Sequence, residues 1–114
     1  MMSRIFAYKR HAAVFQAALL TLTLTGLGFF LSHDLNVNFW DEGYLWNNAV
    51  RAFEGAVPIR DFRAYDPGRY YWVAAFFSVF GKGFFSLRLS LLVMQVIGLF
   101  PALLLIRKIV KNNT

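Results

Sequence analysis

The sequence predicts an all-α membrane protein in which two transmembrane helices flank a polar outer loop. Hydrophobic residues make up 58% of the 114 residues and charged residues only 16%, an apolar balance for a domain of this size. Two long segments are almost free of charge, and each is close to the roughly 20 residues that a helix needs to cross the hydrocarbon core. All six acidic residues lie between these segments. We expect the loop to contain one surface helix and one interfacial aromatic helix.

The first predicted transmembrane helix spans residues 12–31, which contain no charged side chain. Residues 1–11 carry three basic residues and no acid, so the positive-inside rule places the N-terminus in the cytoplasm. A cleaved signal peptide is the alternative interpretation. The apolar core of such a peptide is usually about 7–15 residues long, and the segment from Leu31 to Asp34 is a poor cleavage site. We therefore expect an uncleaved anchor.

The second predicted transmembrane helix spans residues 86–106, charged only at Arg88. Arg88 lies near its start, where a long side chain can extend so that the guanidinium reaches the interface. Gly98 and Pro101 lie inside the helix and are tolerated in membranes. The basic tail, residues 107–114, again lacks acids. Both termini are therefore predicted to be cytoplasmic, in the plasma (inner) membrane of a bacterial-type cell.

The outer loop, residues 32–69, is predicted to hold a helix over residues 42–54 that lies on the membrane surface. Apolar side chains recur there at spacings of three and four, as on one face of a helix. Asn38 or Asp41 can cap its N-terminus, and Gly55 is a typical end signal. The expected interfacial anchors are Phe39, Trp40 and Trp46.

The loop is followed by an aromatic segment, residues 70–81, that is too short for an ordinary span. Its eleven residues up to Phe80 would form a helix about 16 Å long, about half of a bilayer. Aromatic side chains favour the headgroup boundary, so we interpret the segment as an interfacial or re-entrant helix. A short tilted span is the alternative, and it would place the basic tail outside.

Several other classes of function find no support in the sequence. The net charge of +6 could indicate nucleic-acid binding, but the basic residues form no stripe and no recognisable module. The absence of cysteine excludes disulfides and thiolate metal sites. His11 and His33 are expected on opposite sides of the membrane, so they do not form a joint metal site.

Asp41 and Glu42 form an acidic pair at the start of the surface helix, which permits two interpretations. In the first, both residues only cap the helix and interact favourably with its dipole. In the second, a carboxylate held just above the bilayer acts as a general base or as a metal ligand. Spacing alone leaves both interpretations open.

Four short motifs follow one another in the loop and just after it: Trp40-Asp41-Glu42-Gly43-Tyr44, then Phe53-Glu54-Gly55-Ala56-Val57-Pro58 with Arg60-Asp61-Phe62, then Tyr65-Asp66-Pro67-Gly68-Arg69-Tyr70-Tyr71, and Phe80-Gly81. In this order they resemble the N-terminal part of GT-C membrane glycosyltransferases. The resemblance covers Trp40 to about Lys108. It is strongest to the branch that contains dolichyl-phosphate-mannose protein mannosyltransferases and lipid A aminoarabinose transferases.

The resemblance implies a function and roles for three residues. Enzymes of this family move a sugar from a polyprenyl-phosphate carrier in the membrane lipid to an acceptor outside the cytoplasm. Asp41 matches the essential acid of their first outer loop, so it would activate the acceptor or help bind a divalent metal where one is used, with Glu42 in support. Arg69 lies close to where the family binds the carrier phosphate, which a guanidinium can bind with two nitrogens. An interfacial arginine without that role is the alternative.

Two departures from the family pattern limit what the resemblance implies. A second acidic site, expected in a later outer loop, is missing, and Asp66 stands where some members carry a lysine. We therefore expect the chain to be an N-terminal fragment, a truncated reading frame or one piece of a split enzyme, and to be inactive alone. The alternative is a non-catalytic protein with two spans, or a partner subunit.

Overall fold

The computed structural model describes residues 2–32 and 38–112 and confirms the all-α fold. Helices make up 82% of the structure, with no strand among the described residues. The elements are α1 (Met2–Ser32), a π-helical segment (Phe39–Gly43), α2 (Tyr44–Phe53), α3 (Pro67–Phe80) and α4 (Phe84–Asn112). His33, for which no metal site was expected, lies outside the described residues.

Two of these helices are long and apolar enough to cross a membrane. The stretch His11–Ser32 in α1 has a mean hydropathy of 1.8, and Phe84–Val110 in α4 has a mean hydropathy of 2.5. Large apolar side chains along both stretches are exposed, among them Phe15 at 69% and Leu105 at 61%. A lipid environment removes the cost of such exposure, so the structure supports a membrane protein.

Both long helices extend beyond the predicted spans. α1 begins at Met2, ten residues before residue 12, because the basic N-terminal segment contains neither glycine nor proline. α4 begins at Phe84, after Gly83, and continues through Pro101 to Asn112. Proline is compatible with a membrane helix because neighbouring groups can satisfy the freed carbonyl.

The chain divides into two compact units, the first of which comprises Met1–Phe30 and Leu92–Thr114. In this unit, Ala17, Thr21 and Thr25 are buried and recur every four residues along α1. Each threonine hydroxyl donates to the carbonyl four residues earlier, at 2.8 Å for Thr21 and 2.7 Å for Thr25. Their polar groups are therefore satisfied within the helix, as an apolar surrounding requires.

The second unit, Leu31–Leu91, contains the hydrophobic core. α2 and α3 pack along faces whose buried residues are spaced by three and four, the spacing of one helix face. Ala49 is fully buried, and its small side chain lets the two helix backbones approach. The core residues are Leu45, Ala49, Ala52, Phe62, Tyr70, Val73, Phe77 and Leu87.

The ends of the two short helices follow ordinary capping chemistry, although the boundaries differ from those expected. α2 ends at Phe53, and Gly55 has a φ of +99° while the Ala56 amide donates to the Arg51 carbonyl at 2.9 Å. α3 begins at Pro67, three residues before residue 70, because proline is well suited to the first helical position. It ends before Gly81, whose φ is +85°.

Several aromatic side chains of the second unit pack against other helices. Trp46 stacks on Phe84 with ring centroids 5.5 Å apart, and its indole nitrogen donates to the Lys82 carbonyl at 3.1 Å. Trp72 donates to the Ser90 carbonyl at 3.0 Å. Trp46, expected as an anchor at the interface, therefore joins α2 to the start of α4, whereas Trp40 is 90% exposed.

Candidate active site

The acidic pair lies in the π-helical segment before α2 and not in the first turn of an α-helix. Asn38 caps this segment, and its side-chain oxygen accepts a hydrogen bond from the Trp40 amide at 3.1 Å. The Glu42 carboxylate accepts in return from the Asn38 amide at 3.3 Å. Of the two predicted caps, Asn38 fills the role. The wide turn shortens α2, which begins at Tyr44 and not at residue 42, and such turns are frequent at functional sites.

Glu42 forms an ion pair with Arg88 through two hydrogen bonds. Arg88 Nε lies 3.1 Å from Oε1 and Nη2 lies 3.0 Å from Oε2 of Glu42. The Arg88 side chain is 13% exposed and the Glu42 side chain is 24% exposed. The hydrogen bond from Arg88 is the largest cause that holds the pKa of Glu42 below its ordinary value. Glu42 is therefore a charged structural group at neutral pH.

Arg88 also donates from Nη1 to the carbonyl of Ser32 at 3.1 Å. Ser32 is the last residue of α1, where helix carbonyls lack partners within the helix. The expectation that Arg88 extends toward the membrane interface stays a prediction, since these contacts do not fix its depth in a bilayer. The guanidinium binds a carboxylate and a helix end because both offer oxygen acceptors to its fixed fork of donors.

Asp41, in contrast, keeps an exposed carboxylate. Its Oδ2 accepts a hydrogen bond from Asn38 Nδ2 at 3.3 Å, and no ion pair involves Asp41 within the part of the chain that the structure describes. A single neutral hydrogen bond leaves most of the carboxylate's accepting capacity open to solvent or substrate. Of the two acids, Asp41 is the one whose lone pairs are accessible.

Arg69 lies in the first turn of α3, separate from the acidic pair. Its Nη1 lies 3.4 Å from Asp66 Oδ2, and both side chains are about half exposed, at 48% and 57%. Its guanidinium carbon is 6.0 Å from the centre of the Tyr70 ring. Such an exposed pair is weak, so Arg69 can exchange Asp66 for another anion. No hydrogen bond joins Arg69 to Asp41 or Glu42 in residues 38–112.

The turn between α2 and α3 is organised by Asp61. Its Oδ2 accepts from the Val57 amide at 2.7 Å and from Arg60 Nη2 at 2.8 Å. These contacts lower the pKa of Asp61 to about 2, with the Arg60 hydrogen bond as the largest cause. Ile59, at the tip, has a φ of 77°, a conformation that costs a β-branched residue on the order of 1–3 kcal/mol.

The described residues do not make up a divalent metal site. Within residues 2–32 and 38–112, no group of three or more histidine, aspartate or glutamate side chains lies close enough to hold a metal ion. Asp41 would supply one carboxylate, while Glu42 is bound to Arg88. Hard divalent cations take several oxygen ligands, so Asp41 could be at most one ligand of a site completed elsewhere.

Comparison with profiles of known protein families, with curated proteins and with solved structures gives no match in any of the three. The fold defines the chain as an all-α protein with two helices able to span a membrane and, over residues 31–91, a compact helical unit. The sequence alone did not indicate that Arg88 binds Glu42 or that Asn38 Nδ2 donates to Asp41. A signal for the first was present, since Arg88 is an isolated cation in an otherwise apolar segment, which usually requires a partner.

Proposed function

We propose that this chain carries the acceptor-activating loop of a membrane glycosyltransferase. The enzyme transfers a sugar from a polyprenyl-phosphate carrier to an acceptor outside the cytoplasm. The observation that supports this most directly is that two neighbouring acids have different environments. Arg88 binds Glu42 as a structural group, and this pair holds the segment in which Asp41 presents an exposed carboxylate.

In the proposed reaction, Asp41 accepts a proton from the hydroxyl or amine of the acceptor. The acceptor oxygen or nitrogen then forms a bond to the anomeric carbon of the sugar. The bond from that carbon to the phosphate oxygen breaks, and the polyprenyl phosphate leaves with the electron pair. Arg69 would bind this phosphate and stabilise its developing negative charge. No step requires a metal ion at Asp41.

The proposed topology places the Asp41 loop on the outer side of the inner membrane and both termini in the cytoplasm. Basic residues precede the first apolar span and follow the second, and neither flank contains an acid. Such basic flanks remain in the cytoplasm. Two crossings, an even number, place both termini on the same side of the membrane. The carrier lipid and the Asp41 loop would then meet at the outer surface.

The test is sugar transfer by the enzyme that this loop belongs to, obtained by expressing the complete reading frame or by supplying the missing part. Asp41→Asn keeps the side-chain volume but removes the base, so transfer from a radiolabelled polyprenyl-phosphate sugar should fall by at least about a hundredfold. Glu54→Gln removes an exposed acid of the same loop that contacts neither Asp41 nor Arg69, and it is the matched control, expected to retain near-normal transfer.

Near-normal turnover by the Asp41→Asn enzyme would contradict the proposal. Purified 114-residue protein is expected to show no transfer, because two spans cannot enclose the donor lipid and the second acid is absent. If the reading frame contributes no further spans and no partner restores transfer, the chain is instead a non-catalytic two-span protein.

A further inference from the structure

The net charge of the protein is concentrated in the first compact unit. The unit formed by residues 1–30 and 92–114 contains six lysine or arginine residues and no acid, which equals the whole net charge of +6. The second unit contains six cationic and six acidic side chains. The two halves of the molecule therefore attract different surroundings, and only the first strongly favours an anionic one.

Within this first unit, residues of α1 and α4 line an open apolar groove. Its volume is about 680 Å³, within the usual range for a pocket that holds a small molecule. Among its lining residues, only Gln16 and Arg107 have polar side chains. The apolar lining residues are Ala17, Leu19, Leu20, Leu103, Ile106 and Val110.

The polar end of the groove carries a cation and several hydrogen-bond donors. Arg107 Nη1 donates to Gln16 Oε1, and a guanidinium has no acceptor, so the orientation of the Gln16 amide follows from this contact. With its oxygen engaged, Gln16 presents an NH₂ group beside the remaining N–H groups of Arg107. A cationic end with several donors favours an anion and disfavours a cation.

We propose that this groove binds an anionic phospholipid, with an acyl chain along the apolar wall and the phosphate at Arg107 and Gln16. Arg107 lies three residues from the end of the apolar stretch Phe84–Val110, a rise of about 4.5 Å, so its guanidinium reaches headgroup depth. A zwitterionic headgroup also carries an ammonium, for which this unit has no carboxylate. The acidic headgroup of phosphatidylglycerol therefore fits better than phosphatidylcholine. This inference concerns the membrane anchor and does not depend on the proposed reaction.

The experiment uses the full chain in detergent with equimolar phosphatidylglycerol and phosphatidylcholine, and native mass spectrometry measures the lipid retained. Wild-type protein should retain phosphatidylglycerol preferentially. Arg107→Gln should reduce that preference at least about fivefold. Lys108→Gln removes the same charge from the neighbouring position, outside the groove, and should change the preference less than about twofold.

Two further variants separate the parts of the site. Gln16→Leu removes a donor without changing the charge and should also lower the preference, which keeps the test available if Arg107→Gln fails to fold. Leu103→Trp fills the groove and should lower retention of both lipids. Circular dichroism checks that each variant keeps its helical content.

Equal losses in Arg107→Gln and Lys108→Gln would overturn the proposal, because they indicate diffuse attraction to the membrane surface. Competition by free glycerol phosphate as effective as that by the lipid would also overturn it, since the acyl groove would then contribute nothing. A dimeric mass that replaces the lipid-bound monomer would assign the groove to a second copy of the chain.

Discussion

Arg88 binds Glu42 through two nitrogens across a separation of 46 residues in the sequence. The pair joins the π-helical segment before α2 to the first turns of α4, while the third nitrogen of Arg88 binds the C-terminal carbonyl of α1 at Ser32. One guanidinium thus fixes the end of one long helix, the beginning of the other and the acidic segment. Because Asp41 is adjacent to Glu42, this pair also determines where Asp41 is presented.

Arg88→Gln should destabilise the second unit by about 1.5–3 kcal/mol, because it removes charged hydrogen bonds and leaves a half-buried carboxylate without its partner. Arg88→Lys should also destabilise this unit, but by less, since lysine keeps the charge and cannot form the two-nitrogen contact. Unfolding in detergent by a denaturant titration measures the change. Arg69→Gln, which breaks an exposed pair, serves as the control and should cost less than about 1 kcal/mol. A cost for Arg88→Gln no larger than that of the control would contradict a structural role.

Acid should destabilise the second unit through Glu42 and Asp61. The folded pKa of Glu42 lies below its ordinary 4.5, and that of Asp61 lies at about 2 against an ordinary 3.8. A carboxyl group with a depressed folded pKa stabilises the fold above its unfolded pKa, and this contribution is lost as the pH falls toward the folded pKa. The free energy of unfolding should therefore decline from about pH 4.5 downward. Glu42→Gln should show a shallower decline, and an identical decline would exclude Glu42 as a source.

Asn48 provides a test of the α2 core. Its side chain is 3% exposed, and its Nδ2 has no hydrogen-bond partner among the described residues. An unsatisfied buried donor costs about 1–3 kcal/mol, so Asn48→Ala should leave the stability unchanged or raise it by up to about 1 kcal/mol despite the lost volume. The exposed neighbour Asn47, changed to alanine, is the control for helix propensity. A loss above about 2 kcal/mol for Asn48→Ala would mean that the amide has a stabilising partner.

The topology can be tested cleanly because the chain contains no cysteine. A cysteine at Tyr65, which is 91% exposed, should react with a membrane-impermeant thiol reagent in intact spheroplasts. A cysteine at Asn113 should react only after the membrane is opened. Labelling of the Asn113 variant from outside would mean three crossings, with α3 as an additional span.

On the proposed function, Arg69→Gln in the enzyme that this loop belongs to should raise KM for the polyprenyl-phosphate donor about tenfold, because one charge-assisted phosphate contact would be lost. Steady-state kinetics at varied donor concentration measures this change. Arg63→Gln removes an exposed arginine of the same loop and should leave KM within about twofold. Equal effects of the two substitutions would indicate that loop charge attracts the donor without a specific contact at Arg69.

The helices themselves were predictable from the sequence because their signals are local. The two long apolar stretches, the glycine after α2 and the proline that begins α3 each act within a few residues. Even the differences in helix bounds are local effects. The exception is the π-helical segment, where the Asn38 cap and the reciprocal contact from Glu42 to the Asn38 amide produce a wider turn than periodicity indicates.

The roles of the charged residues depended on contacts between distant parts of the chain. The sequence by itself determined that Asp41 and Glu42 form a pair before a helix, that Arg88 is an isolated cation, and that the basic residues flank the apolar spans. Only the tertiary structure decided that Arg88 binds Glu42, that Trp46 packs on Phe84 and that Asp41 remains exposed. The physical reason is that a spacing pattern reports which side chains share a helix face, whereas an ion pair forms between whichever groups the packing of α2, α3 and the start of α4 brings within hydrogen-bond distance.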